Sequence, residues 1–186
     1  MIIYFFLIAI ILYLFIVIGT MDYSSHDADN VRFAKEYKLV GTKNVFKYVS
    51  VVDVHMIAGG KKGIVLFGNP ANKWVEYYAS IVNDVALEVG IDTIYYYDFY
   101  KDREQNNATY EDTLKLLGNY VIHNDLNKTD IYSPTLLVVC DGQVLLFDTD
   151  TNFINGNKKP NEYWNGYNRN MKKTELRKVF TTYLES

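Results

Sequence analysis

Thiols are all but absent from this chain: one cysteine, Cys140, stands among 186 residues. A lone cysteine excludes an intramolecular disulfide, a two-cysteine redox motif and a multi-cysteine zinc site. Cys140 closes the apolar run Leu136-Leu137-Val138-Val139-Cys140, which predicts a buried and inert thiol. Histidine is equally scarce. His26, His55 and His123 share no local ligand spacing, so no metal site is predicted. The basic residues never run longer than the pairs Lys61-Lys62, Lys158-Lys159 and Lys172-Lys173, and the formal net charge is −3. That balance removes the electrostatic basis for binding nucleic acid. The glycines of Gly59-Gly60-Lys61-Lys62-Gly63 precede a strand and lack the Walker spacing; a helix stop and a turn account for them. No cofactor is implied. No catalytic residue can be named either, since a Ser/His/Asp set is recognised by geometry and not by order along the chain.

Apolar material is plentiful. Hydrophobic residues make up 49% of the chain and aromatics 16%, including 17 tyrosines, enough for one packed domain with an appendage. The appendage is N-terminal. Ile2 to Ile18 is an unbroken apolar run without charge. At about 1.5 Å per residue it nearly crosses a hydrocarbon layer of roughly 30 Å, so a transmembrane helix is expected over residues 1–20. The alternative is a cleaved signal peptide, although the run is long for one and no small-x-small cleavage site follows. Asp22, Asp27 and Asp29 precede the first base, Arg32. With no positive charge beside the run, the domain is placed on the extracytoplasmic side of the cell membrane, or outside the cell if the leader is removed. Residues 21–43 read as a spacer, with Val31–Leu39 either a short helix or irregular.

The rest alternates between two periodicities. Asn44 is placed to cap a helix over Val45–Ala58, with Phe46, Val49, Val52 and Met56 at helical spacing and Gly59-Gly60 as its stop. Gly63–Phe67 reads as a buried strand. Asn69 and Pro70 read as the cap and first residue of a helix reaching Val89, which Gly90 ends. Ile91–Tyr100 is β-prone, and Lys101–Ala108 reads as a charged loop. Thr109 would cap the next helix, which carries Leu114, Leu117 and Val121. After a polar connection over Asn124–Tyr132 come a strand ending at Cys140, an Asp141-Gly142 turn and a strand Gln143–Phe147. A long polar excursion, Asp148–Asn170, holds Tyr163, Trp164 and Tyr167, which either cover a sheet edge or meet a partner. A helix over Lys172–Leu184 closes the chain. Helices between strands imply parallel pairing, and the Asp-Gly turn adds an antiparallel edge. The expected architecture is α/β: a mixed four-stranded sheet between helices.

This order, with three local pieces, resembles the thioredoxin-like superfamily. Ile64–Pro70 sits where that family's first core strand runs into its active-site helix. Ser133-Pro134-Thr135-Leu136-Leu137-Val138 looks like its cis-proline and following strand, and Asp141-Gly142-Gln143-Val144 looks like its final hairpin. The match spans Asn44 to Phe147 and the last helix, giving a domain over 44–186 with an insertion at about 148–170. Within the family it is similar to the bacteriocin-accessory type.

One departure is decisive. An oxidoreductase of this family needs two cysteines at the helix start, one attacking and one resolving. The resemblance puts those sites at Asn72 and Val75, or one residue earlier at Ala71 and Trp74, and neither register holds a sulfur. What the resemblance still implies is a groove. Asn69, Pro70, Asn72, Trp74 and Val75 would face Tyr132, Ser133 and Pro134, as a surface for an extended peptide or protein segment. Pro134 could equally do no more than shape a strand entry, and Trp74 is either an anchor or a packing residue. The expected function is a redox-inactive, membrane-tethered interaction module. The alternatives are an accessory of a secretion or bacteriocin system, or a thiol–disulfide component using Cys140.

Overall fold

The structure is a computed structural model that describes residues 28–123, 129–150 and 156–186. The first described element is helix α1 (28–36). It is followed by β1 (Phe46–Tyr48), α2 (Val51–Ala58), β2 (Gly63–Gly68), α3 (Lys73–Val89) and β3 (Ile94–Asp98). Then come α4 (Tyr100–Glu104), α5 (Ala108–Leu117), a 3-10 turn (Gly118–Tyr120) and a small antiparallel pair, β4 (Ile122–His123) with β5 (Thr129–Asp130). The hairpin β6 (Thr135–Cys140) and β7 (Gln143–Thr149) precedes α6 (Pro160–Tyr163) and α7 (Gly166–Glu185).

The main sheet has the strand order β1-β3-β2-β6-β7. β1, β3 and β2 run parallel, because α2 and α3 supply the crossovers that parallel neighbours need. β6 and β7 are antiparallel, joined by Asp141 and Gly142, both at positive φ, the conformation a two-residue hairpin turn demands. Two parts of the expected architecture are corrected here. The sheet has five strands and not four. The fifth is β1, which lies inside the helix expected over Val45–Ala58. Among the described residues no helix is long and apolar enough to cross a membrane; the run at 2–18 expected to form one lies outside the described residues.

β1 escapes the helical reading for a physical reason. Ser50 and Asp53 form a capping box: Ser50 Oγ accepts from the Asp53 amide at 3.4 Å, and the Asp53 carboxylate accepts from the Ser50 amide at 3.0 Å. A helix started by that box cannot include residues 46–48. Asn44 serves the strand instead, with its carboxamide accepting from the Phe46 amide and donating to the Gly41 and Asn30 carbonyls. Val52 and Met56 accordingly face out, while Val54 and Ile57 are buried.

Strand alternation splits the core into two layers. Ile64 and Leu66 of β2, Ile94 and Tyr96 of β3, and Leu136 and Val138 of β6 face α1, α3 and α7. Val65, Phe67, Tyr97, Leu137 and Val139 face α2 and α5. Gly68, where β2 ends, leaves room for the Tyr96 ring, because a Cβ there would lie 2.5 Å from Tyr96 Cε2. The first described helix is part of the packing. Phe33 stacks on Phe46 at 4.0 Å, and the Tyr37 hydroxyl meets that of Tyr96 at 2.5 Å.

The excursion after β7 is shorter than expected. β7 runs on to Thr149, and α7 begins at Gly166, six residues before Lys172. Its cap is Asn165, which accepts from the Asn168 amide. Lys172 Nζ reaches Asp148 at 2.7 Å, Asp150 at 3.1 Å and Glu175 at 2.9 Å. The Tyr78 hydroxyl of α3 donates to the same Asp148 carboxylate, so three elements meet at one buried ionic cluster. Burial alone would lower the Lys172 ammonium, yet the surrounding carboxylates hold it above an ordinary lysine.

Candidate functional site

β2 delivers the chain into a tight turn before α3. The Asn69 carbonyl accepts from the Asn72 amide at 2.9 Å, and the Asn69 side chain accepts from the Ala71 amide at 2.8 Å. Asn69 therefore shapes the turn, and the cap expected there falls to Asn72. The two asparagines compete for one role, and Pro70 made the first look better placed. The chain adopts the second, which leaves Pro70 exposed in the turn.

Asn72 uses both ends of its carboxamide. Its oxygen accepts from the Trp74 amide at 3.0 Å, capping α3. Its nitrogen donates to the Ser133 carbonyl at 2.6 Å. The Ser133–Pro134 peptide bond is cis. One side chain thus ties the start of α3 to the segment entering β6. Ser133 Oγ is buried and has no hydrogen-bond partner among the described residues. Tyr132 and Ser133 are half-buried, while Pro134 and Val75 are buried. Thr135 Oγ1 donates to the Tyr132 carbonyl at 2.7 Å, and Pro134 accepts from the Asp150 amide at 3.4 Å, so this segment is held from both sides.

Trp74 is only 5% exposed. Its ring lies 5.4 Å from Tyr163, and Trp164 lies 5.9 Å from Tyr78. These aromatics of the excursion pack over the first turns of α3, and the Tyr163 hydroxyl reaches Asp150 just past the edge strand β7, at 3.4 Å. Tyr167, by contrast, is 73% exposed.

Beside this junction opens a cleft of about 760 Å³. Asn69, Asn72 and Trp74 line one side, together with Lys73. The other walls come from Tyr100 and Arg103 of α4 and Pro160 of α6. Sequence reasoning missed these three because they lie about 30 to 90 residues from the start of α3. The signal available was the stretch Tyr100–Glu104, read as strand end and charged loop although its residues are compatible with a helical turn.

The cleft's polar groups are held from behind. Arg103 Nη1 donates to Asp130 at 3.2 Å, and Asp130 also accepts from the Tyr110 hydroxyl at 2.9 Å and the Ile131 amide at 2.8 Å. Burial, reinforced by Asp130, pushes the Tyr110 phenol well above an ordinary tyrosine, so it remains a donor. The hydrogen bond from Lys73 Nζ to Glu76 raises that ammonium, which stays charged.

A second recess, of about 570 Å³, opens at the carboxyl ends of β1 and β3. It mixes Arg32 and Lys101 with Asp53, Asp98 and Asp102, and presents no dominant sign of charge. Among the described residues no group of three or more His, Cys, Asp or Glu side chains could hold a metal ion. His55 is engaged elsewhere, 3.1 Å from Thr113 Oγ1 across the α2–α5 contact. The sequence has no match among protein-family models or curated proteins.

Proposed function

We propose that this chain is a thioredoxin-like domain that has exchanged thiol chemistry for binding, and that it holds an extended peptide or protein segment at the start of α3. The observation carrying this reading is the Asn72 carboxamide, which stands where one of the two registers of the family resemblance puts a cysteine and bridges to Ser133 instead. Three features support the placement in that superfamily. The parallel trio β1-β3-β2 continues into antiparallel β6 and β7, α3 leaves from the carboxyl end of β2, and the Ser133–Pro134 segment lies against the start of α3. Cys140 does not offer a competing chemistry, being 2% exposed and at the opposite end of β6 from Ser133 and Pro134. Asn72 takes one acceptor position of the Ser133 carbonyl, and the neighbouring cleft offers the wider surface for the segment.

Peptide-display selection against the full chain tests this. Enriched peptides are expected to lose about tenfold in affinity toward Tyr100→Ala, since an interfacial aromatic contributes on that scale. Tyr100 is 42% exposed, so the substitution leaves the core intact. Failure to enrich any peptide, or equal affinity for the Tyr100→Ala variant, would remove the cleft from consideration.

A further inference from the structure

The geometry points to a ligand of one charge: the cleft takes an extended segment bearing carboxylates, an acidic peptide, with Arg103 and Lys73 as the groups that read it. This rests on the preceding reading of the cleft as a peptide site and narrows what the peptide is.

The first argument is sign. Among the described residues, those lining the cleft include two cations, Lys73 and Arg103, two carboxamides, Asn69 and Asn72, and no acid. The chain as a whole carries −3, so the cleft opposes the charge of the molecule around it. Both cations are paired from behind, Arg103 with Asp130 and Lys73 with Glu76, so the sign is read at contact, through the donors facing the cleft.

The second argument is preorganisation. A guanidinium carries five N–H donors in a fixed fork. Asp130 engages Arg103 through one nitrogen, Nη1, and among the described residues no other acceptor meets the guanidinium. Asp130 does not line the cleft; it grips Arg103 while also held by Tyr110 and Ile131. The guanidinium carbon lies 5.3 Å from the Phe99 ring and 5.1 Å from the Tyr100 ring, which limits its swing. An arginine fixed on one edge and open on the other is suited to a carboxylate, which it can grip with two parallel bonds. Lys73 complements it as a point charge: its Nζ is held by Glu76 at 2.9 Å while its side chain stays 73% exposed. Its partner Glu76 is only 8% exposed and is also outside the lining.

The third argument is shape. Tyr100 and Pro160 give the cleft apolar walls beside these charges, and about 760 Å³ falls in the range of sites that hold a small ligand or a few residues of chain. An isolated anion would leave those walls unused, whereas alternating apolar and acidic side chains would engage both.

Three labelled peptides of equal length test the inference, each alternating valine with glutamate, glutamine or lysine. Titrated against the full chain, the glutamate peptide is expected to bind about tenfold more tightly than the glutamine one. That advantage should shrink as salt rises from about 50 to about 300 mM. Arg103→Gln should abolish it and Lys73→Gln should reduce it, both read well below each variant's own thermal midpoint, since Lys73 also pairs the mostly buried Glu76. Equal binding of the glutamate and glutamine peptides, with both weakened by Tyr100→Ala, would overturn the acidic preference and leave the peptide module standing. No binding of any of the three would count against both. Persistence of the glutamate advantage in both folded charge variants would place the recognition elsewhere. Free acetate competing as strongly as the glutamate peptide would show an anion site and overturn the peptide claim.

Discussion

Lys172→Met is expected to destabilise the protein by about 3–5 kcal/mol, the cost of leaving buried carboxylates without their counter-ion. The cluster is shut in: the side chains of Lys172, Asp148 and Asp150 are 12%, 14% and 8% exposed. Methionine approximates the length of the lysine stem, so the substitution removes charge with little loss of packing. The effect therefore reports electrostatics and not a cavity. Adding Asp148→Asn and Asp150→Asn to the same chain should recover much of the loss, because the three groups act as one unit. Urea unfolding of the single and triple variants, compared with the parent, decides it. A loss below about 1 kcal/mol for Lys172→Met would mean that the pairing contributes no more than an exposed salt bridge does.

Phe33→Ala is expected to cost a similar amount, about 3–5 kcal/mol, by a different route. Phe33 is fully buried, stacks on Phe46 at 4.0 Å and meets Tyr96 edge-on at 5.1 Å. Its removal opens a cavity between α1 and the sheet. The outer contacts of α1 cannot compensate: Arg32 to Glu36, 3.1 Å, is an exposed helical pair of modest worth. The midpoint of thermal unfolding should fall by roughly 2–4 °C for each kcal/mol lost. A single transition shifted by that amount would show α1 melting with the sheet. A change of less than about 1 kcal/mol would instead mean that α1 is not part of the cooperative unit.

These two residues illustrate what was legible in the sequence. Strands β2 and β6 announce themselves as continuous apolar runs, since both their faces are covered. The Asp141-Gly142 turn specifies β7 by local conformation alone. β1 was hidden because Phe46, Val49, Val52 and Met56 are spaced like one helical face although they belong to a strand, a connection and the outside of α2. The Ser50–Asp53 box was the signal that separates them, and it lay within a segment already explained as helix. Phe33 and Tyr37 resisted for another reason. A short helix that buries Phe33, with Tyr37 just past its end, shows too little periodicity to distinguish it from a polar spacer.

The site divides in the same way. The approach of Asn72 to Ser133 was implied by the resemblance, down to the segments involved, but which asparagine would cap α3 depended on a turn that sequence does not resolve. Tyr100, Arg103 and Pro160 come from elements whose positions are fixed only by the long-range packing of α4 and α6 around the start of α3. Lys172 stood in a basic pair that reads as solvated surface. It is buried because β7 and the residue after it place Asp148 and Asp150 against α7, a pairing between segments more than 20 residues apart.

The lone thiol lends the molecule an internal stopwatch. Cys140 ends β6 at 2% exposure, with its Sγ 2.8 Å from Ser186 Oγ at the chain's end, beneath the last turn of α7. A water-soluble thiol reagent can reach it only when that turn lifts away, and no second cysteine contributes background. The rate of labelling therefore times how often the C-terminal helix lets go, whether in a local opening or in complete unfolding.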